Sequence, residues 1–243
     1  MANFKPLKKY LLILIDQFSE LEKFTSPFLD VGCGIGDISL HYAQKGFSGL
    51  AIDLDEQTVK IAKKNLENYP QITVEQKNVF DLMGKFKTIF VCDVLEHIEN
   101  DHLFIKHLYE LLDDHGQIII SVPILSSEWR WDDDFYGHVR RYEIPDLIYL
   151  LGQNNLRVRQ IWDFTFPFFW LIRRIYTKII PKKIIFKDPL NNTKNSARQS
   201  AWDHGILTAL FEKILWWDLL FKIQIKFKNH LVGCECVLIA TKE

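Results

Sequence analysis

The 243 residues are 48% hydrophobic and 25% charged, a globular balance that excludes wholesale disorder, and their number suits one sizeable α/β domain with an elaboration. The formal net charge of −1 hides an asymmetry: residues 166–230 hold 12 Lys and Arg against 4 Asp and Glu, leaving 18 against 27 elsewhere. A basic, aromatic segment on an acidic body points to an anionic contact such as a membrane surface or a phosphorylated substrate. The acidic body and the lack of a recognisable RNA module argue against nucleic acid.

The N-terminal residues 1–25 predict one amphipathic helix, with Leu11, Leu14, Ile15, Phe18 and Leu21 on one side. A basic start without a small-residue cleavage site reads as that helix rather than a signal peptide. Next comes FLDVGCGIGD (28–37), an apolar strand running into Gly32, Gly34 and Gly36 and then a helix over 36–45. Such a turn lets a ligand approach bare backbone. A strand at 48–55 ends in acid, a helix over 56–69 stops at Pro70, and strands follow at 72–76 and 87–93. A helix over 101–112 leads to a strand at 117–123. This alternation predicts a parallel, doubly wound sheet. Residues 124–143 form a long polar, aromatic loop, residues 145–154 a helix with Pro145 in its first turn, and 156–164 a strand. After the insertion, residues 232–242 read as the last strand. No stretch offers the ~18 uninterrupted apolar residues of a spanning helix. Cys33, Cys92, Cys234 and Cys236 have neither zinc nor disulfide spacing, so the expected setting is a reducing cytoplasm.

Glycines at 32, 34 and 36 make G-x-G-x-G, without the Lys-Ser/Thr of a P-loop and with the third glycine one place early for a dinucleotide fingerprint. Asp53 ends the second strand, where an acid accepts both hydroxyls of a ribose. Together with TIFVCDVLEHI (88–98) and LLDDHGQIIISVP (111–123), these residues resemble a class I S-adenosylmethionine-dependent methyltransferase near the ubiquinone-biosynthesis O-methyltransferases. The resemblance covers residues 26–165 and the strand near the C-terminus. It implies a Rossmann-like, doubly wound, seven-stranded sheet with an antiparallel last strand, a methyltransferase domain of residues 26–165 and 231–243, and a helical insertion over 166–230. It further implies that Asp30 with the backbone of Gly32, Gly34 and Gly36 holds the methionine end of the donor, and that Asp53 and Leu54 take the ribose end. Asn78 and Val79 would recognise adenine, and the main chain at Cys92 would lie near the sulfonium. The family usually has Asp where this chain has Asn78, and Asp81 supplies an acid if the register slips. The competing reading makes Asp30 and Asn78 turn caps.

Methyl transfer from a sulfonium needs alignment and, for a hydroxyl acceptor, a base. His97 in DVLEH and His138 in FYGHVRRY flank the expected site. His138 stands as general base or as a loop anchor. Asp93, Glu96, His97 and His138 together are similar to a divalent-metal set of the ubiquinone-type branch, in which the first acid is usually Glu. The reading preferred here has no metal, with Glu96 and His97 capping a helix and lining the donor pocket. Arg140, Arg141 and Tyr142 would bind an anionic group of the substrate, or the arginines would pair with Asp132, Asp133 or Asp134. The acceptor expected is a hydroxyl of a small or lipid-linked molecule; the rival reading is a cofactor-binding protein without transfer activity, its insertion an interaction surface.

In the insertion, Phe166, Phe168, Phe169, Trp170, Trp202, Trp216 and Trp217 are costly to expose, so they cover the site, pack against a partner subunit in a homodimer, or sit in a lipid interface. Lys178, Lys182, Lys183, Lys187, Lys222, Lys226 and Lys228 flank them, as on a peripheral contact with the inner membrane face. An apolar lid with solvated lysines accounts for the same composition.

Overall fold

The computed structural model describes residues 6–179 and 216–243. Seven strands form one sheet: β1 (Phe28–Val31), β2 (Gly49–Asp53), β3 (Ile72–Gln76), β4 (Phe86–Cys92), β5 (Leu112–Pro123), β6 (Leu156–Asp163) and β7 (Glu235–Lys242). Their order is β3-β2-β1-β4-β5-β7-β6; the first five are parallel, and β7 runs antiparallel between β5 and β6. The expected doubly wound sheet with an antiparallel last strand is therefore present. The chain reverses its direction of progress at β1, with β2 on one side and β4 on the other. That switch opens a crevice at the carboxyl ends of these strands.

The α-helices of the described residues are α1 (Pro6–Leu21), α2 (Asp37–Gln44), α3 (Glu56–Asn65), α4 (Asp101–Leu111), α5 (Trp131–Tyr136), α6 (Ile144–Gln153), α7 (Phe168–Ile179) and α8 (Trp217–Gln224). Alternate residues of β1 enter opposite cores. Phe28 joins Tyr10, Phe18, Tyr42 and Phe90 under α1 and α2, whereas Leu29 and Val31 join Ile89, Phe104 and Leu147 under α4 and α6. Burial on both faces is what a parallel sheet between helical layers requires.

Local chemistry places the differences from the expected boundaries. Leu21, expected on the buried stripe of α1, is the last helical residue and is exposed. The helix α3 is capped by the Asp55 carboxylate, which accepts from the Thr58 amide and hydroxyl, and ends at Asn65, before the expected limit at 69. The β5 strand begins at Leu112 rather than 117, because Leu112 already pairs with Phe86. Within the loop 124–143 lies α5, closed by Gly137 in the left-handed region.

Asp163 clasps the two ends of the insertion. Its carboxylate accepts from the amides of Thr165 and Phe166 on one side and Gly233 on the other, and Thr165 Oγ1 accepts from the Cys234 amide. A Cβ at Gly233 would lie 2.4 Å from Asp163 Oδ1, so only glycine permits this approach. From this base α7 and α8 fold onto α1: Phe169 stacks on Trp217 at 5.8 Å between centroids, and Tyr10 stacks on Phe221 at 5.3 Å. Trp202, Lys182, Lys183 and Lys187 lie outside the described residues.

Candidate active site

The glycine turn stands at the carboxyl end of β1, with Gly32, Gly34 and Gly36 all at positive φ (65°, 56° and 87°). A Cβ on Gly32 would come 2.5 Å from Val94 Cγ2, whereas one on Gly34 meets nothing within 4 Å. The turn is thus tight beneath Gly32 and open over Gly34, a cradle of the kind that admits a small molecule to backbone. At the tip of β2 the Asp53 carboxylate accepts from the Gly34 amide (3.0 Å) and the Asp55 amide (2.9 Å). Beneath the turn Asp30, 1% exposed, accepts from Ser39 Oγ at 2.6 Å; burial pushes its carboxyl up to about 6. Leu54 beside Asp53 is 56% exposed.

Asn78 is exposed, and its Oδ1 accepts from the Phe80 amide at 3.1 Å, capping the short helical turn Val79–Asp81. Val79 is buried, and its carbonyl accepts from His107 Nε2 at 2.8 Å. Cys92 closes β4, its thiol pushed up to about 12 by burial. These residues share the crevice edge: Asp53 ends β2, Cys92 ends β4, and Asn78 follows β3.

Directly after β4 the backbone turns through Asp93 at φ 60°. Asp93 accepts from Ser121 Oγ at 2.7 Å, and its second oxygen lies 3.9 Å from Lys8 Nζ. The following turn, Leu95–His97, buries Glu96 to 1% exposure, with no hydrogen-bond partner for Oε2. Burial and the Asp93 charge raise the Glu96 carboxyl well above its ordinary range. His97 Nδ1 donates to the Gly137 carbonyl at 3.2 Å; burial and the neighbouring His138 bring its pKa down to about 4, so the ring is neutral.

His138 Nδ1 donates to Asp133 Oδ1 at 2.9 Å, and its Nε2 faces Glu96 Oε1 at 3.9 Å. The two imidazoles meet edge to face at 5.0 Å. One ligand atom each from Glu96, His97 and His138 lies within 4.8 Å of the others, and Asp93, the fourth member suggested by sequence, is not part of that group. Burial opposes ionisation of Asp133, but His138, Arg141 and Arg173 overcome it and hold the carboxyl well below the usual range.

The loop's arginines face protein groups. Arg140 donates to Asp101 and to the Glu99 carbonyl, each at 2.6 Å, and Tyr142 donates to the same Asp101 carboxylate at 3.0 Å. Arg141 is buried, with Nε on Asp133 and Nη1 on the carbonyls of Ile124 and Cys234. Sequence reading offered Asp133 as a partner for the arginines, which Arg141 takes up, but missed its bond to His138, five residues on, and the role of Arg173. From α7, Arg173 grips Asp132 with two nitrogens (2.8 and 2.7 Å) and reaches Asp133 Oδ2 at 2.7 Å. Arg174 pairs with Glu128 and covers the Trp170 ring at 3.9 Å.

Proteins similar to this chain include methyltransferases. The ubiquinone biosynthesis O-methyltransferase of Pseudomonas paraeruginosa is 31% identical over 127 residues, 49% of this chain and 54% of that protein. N-methyltransferase 4 of Papaver somniferum is 30% identical over 132 residues, 49% of this chain and 36% of that one. The chain spans about half the length of the first of these relatives, and less of the second. Among solved structures, the magnesium protoporphyrin IX methyltransferase of Synechocystis with bound SAH superposes with a TM-score of 0.57 at 16% identity, covering 98% of this chain and 83% of that one. The 1,6-didemethyltoxoflavin-N1-methyltransferase of Burkholderia thailandensis, bound to its namesake and S-adenosylhomocysteine, gives 0.56 at 13%, covering 98% and 78%. At such identities the likeness is one of fold. A family model described as a methyltransferase domain matches residues 6–161, and the chain belongs to that family.

Proposed function

We propose that this protein transfers a methyl group from S-adenosylmethionine to a hydroxyl of a small or lipid-linked molecule. The donor supplies a methyl already activated on a sulfonium, which leaves alignment and proton removal to the chain. The open face of the glycine turn, Asp30 beneath it, and Asp53 with Leu54 are suited to the methionine and ribose ends. Asn78 and Val79 would border the adenine, and the Cys92 main chain the sulfonium.

One observation carries the reading: the Nδ1 of His138 is tied to an ionised Asp133, which leaves Nε2 as the lone-pair nitrogen at the crevice edge. A histidine so oriented takes a proton from a hydroxyl brought to Nε2. His97 beside it is neutral. Because Arg140, Arg141 and Tyr142 spend their donors on protein groups, they shape the acceptor wall rather than grip an anion. The test is to incubate the protein with methyl-labelled S-adenosylmethionine and a fractionated cell extract. Label in extractable small molecules or lipids, lost in His138→Gln with donor binding intact, supports the reading; label in protein or RNA overturns it.

A second reading, divalent-metal-assisted transfer, rests on Glu96, His97 and His138. Both histidines tie Nδ1 to an oxygen acceptor, the arrangement common in metal sites. Such an ion would acidify the acceptor hydroxyl.

Peripheral contact with an anionic membrane is a further part of the proposal. On α7 the exposed Leu171, Ile175 and Ile179 are spaced four apart, and Trp216, Leu219 and Ile223 are exposed on and beside α8, with exposed Lys178 and Lys222 nearby. Among the described residues no helix is long and apolar enough to cross a membrane. Co-sedimentation with phosphatidylglycerol vesicles, lost at high salt, is the expected behaviour; no association at low salt contradicts it.

A further inference from the structure

Four arginines gather where the loop after β5 meets α7, and three of them hold acids closely. Arg141 lies on Asp133, Arg173 on Asp132 and Asp133, and Arg174 on Glu128. Arg130 is the fourth. Among the described residues its guanidinium makes one contact, Nη2 at 3.5 Å from Glu128 Oε2, which is the limit of hydrogen-bond length. Its Nε is buried with no partner.

The edge left open is the one that grips anions. Nε and Nη2 point the same way from a guanidinium and together match two oxygens of a carboxylate or a phosphate. Arg173 displays that geometry in the same cluster, its Nε and Nη2 holding the two oxygens of Asp132 at 2.8 and 2.7 Å. Glu128 does not complete the edge of Arg130, because it pairs with Arg174 and also takes Trp170 Nε1 at 3.4 Å. Two guanidiniums thus share one acid, and Arg130 carries the surplus charge. A buried N–H without an acceptor is unfavourable, so this side chain gains by turning its open edge to an oxyanion. Glu128 keeps Arg174 when it does so, and the Arg130 side chain, 22% exposed, already reaches solvent.

Its position suits an acceptor. The Arg130 amide donates to Asp133 Oδ2 at 2.8 Å, and the other oxygen of that carboxylate holds His138. Arg130 therefore stands one carboxylate away from the candidate base. It follows β5, across β1 and β4 from the Asp53 end of the crevice.

We infer that Arg130 is a specificity-determining residue that binds an anionic group, a carboxylate or a phosphate, on the methyl acceptor. This rests on the acceptor reading proposed above and narrows it to an anionic molecule. Anion recognition moves from Arg140 and Arg141, where the sequence suggested it, to the arginine whose donors are left over.

The test incubates a fractionated cell extract with methyl-labelled S-adenosylmethionine and passes the extractable small molecules and lipids over an anion exchanger. Wild-type and Arg130→Gln protein with matched thermal melts are compared. Wild type is expected to place its label in retained molecules; retention lost at about pH 2 identifies a carboxylate, and retention kept identifies a phosphate. Arg130→Gln is expected to need at least about tenfold more extract for half-maximal labelling, about the weight of one charge-assisted pair, while binding S-adenosylhomocysteine within about twofold of wild type. An unchanged half-saturation in the variant, or a lower maximal rate alone, overturns the role of Arg130. Wild-type label in molecules that the exchanger does not retain overturns it without recourse to any variant, and leaves methyl transfer in place. No label in either fraction overturns the acceptor reading and the Arg130 assignment together.

Discussion

His138 donates from Nδ1 to Oδ1 of Asp133 at 2.9 Å, and the same carboxylate takes Arg141 on that oxygen and Arg173 of α7 on the other. One buried acid thus sets the tautomer of the candidate base and ties the loop after β5 to the insertion. Replacing Asp133 with Ala leaves two buried guanidiniums without their shared partner. Breaking a buried pair from one side costs roughly 3–5 kcal/mol, so the urea midpoint of Asp133→Ala should fall accordingly. A midpoint within experimental error of wild type would show that the network carries no such weight.

The glycine turn separates stability from binding. Gly32→Ala meets Val94 at 2.5 Å in addition to the penalty of a left-handed backbone, so a loss of roughly 2–4 kcal/mol is expected. Gly34→Ala meets nothing within 4 Å and should lose only about 1–2 kcal/mol. Its methyl projects into the open face of the turn, however, and should cut S-adenosylhomocysteine affinity at least about tenfold. Denaturation and calorimetry on the same two variants check both halves.

His97 makes stability fall in acid. Its folded-state pKa is depressed to about 4 from 6.5, so the stability it supports is present above pH 6.5 and is lost as pH falls toward 4. Over that window the loss is on the order of 3 kcal/mol. His97→Gln should flatten the curve of unfolding free energy between pH 6.5 and 4 relative to wild type. An unchanged slope would mean that His97 titrates normally.

The two transfer readings differ in their response to chelation. If His138 acts directly as base, excess EDTA leaves transfer unchanged, and added Mg2+ or Zn2+ does not raise it. Loss on chelation, restored by one of these ions, with one-to-one binding of that ion to the wild-type protein that is abolished in a variant carrying both His97→Gln and His138→Gln, would move Glu96, His97 and His138 into a metal centre.

The parts of the site legible from sequence are those made by contiguous residues. A strand running into Gly32, Gly34 and Gly36 announces its own turn, and the acid closing the next strand falls beside it, because successive parallel strands deliver their carboxyl ends to one edge. What could not be read depends on which way a side chain turns after folding. Asp132, Asp133 and Asp134 are equivalent in sequence; the helical turn of α5 sends Asp133 inward to His138, whereas Asp134 takes Trp129 Nε1. Arg140 and Arg141 are adjacent, yet they bind different acids, Asp101 and Asp133. Lys8 reads as one polar position of an amphipathic helix until the sheet places its tip beside Asp93.

The account turns on the donor seat, and the most direct measurement is calorimetric titration of S-adenosylhomocysteine into wild-type and Asp53→Ala protein at neutral pH. Asp53 orients the Gly34 amide and stands where a ribose would present its hydroxyls. Saturable one-to-one binding to wild type, weakened about a hundredfold or more in a variant that melts as a folded protein, is the predicted result. Absence of binding to the wild-type protein, or equal affinity in the variant, would contradict it.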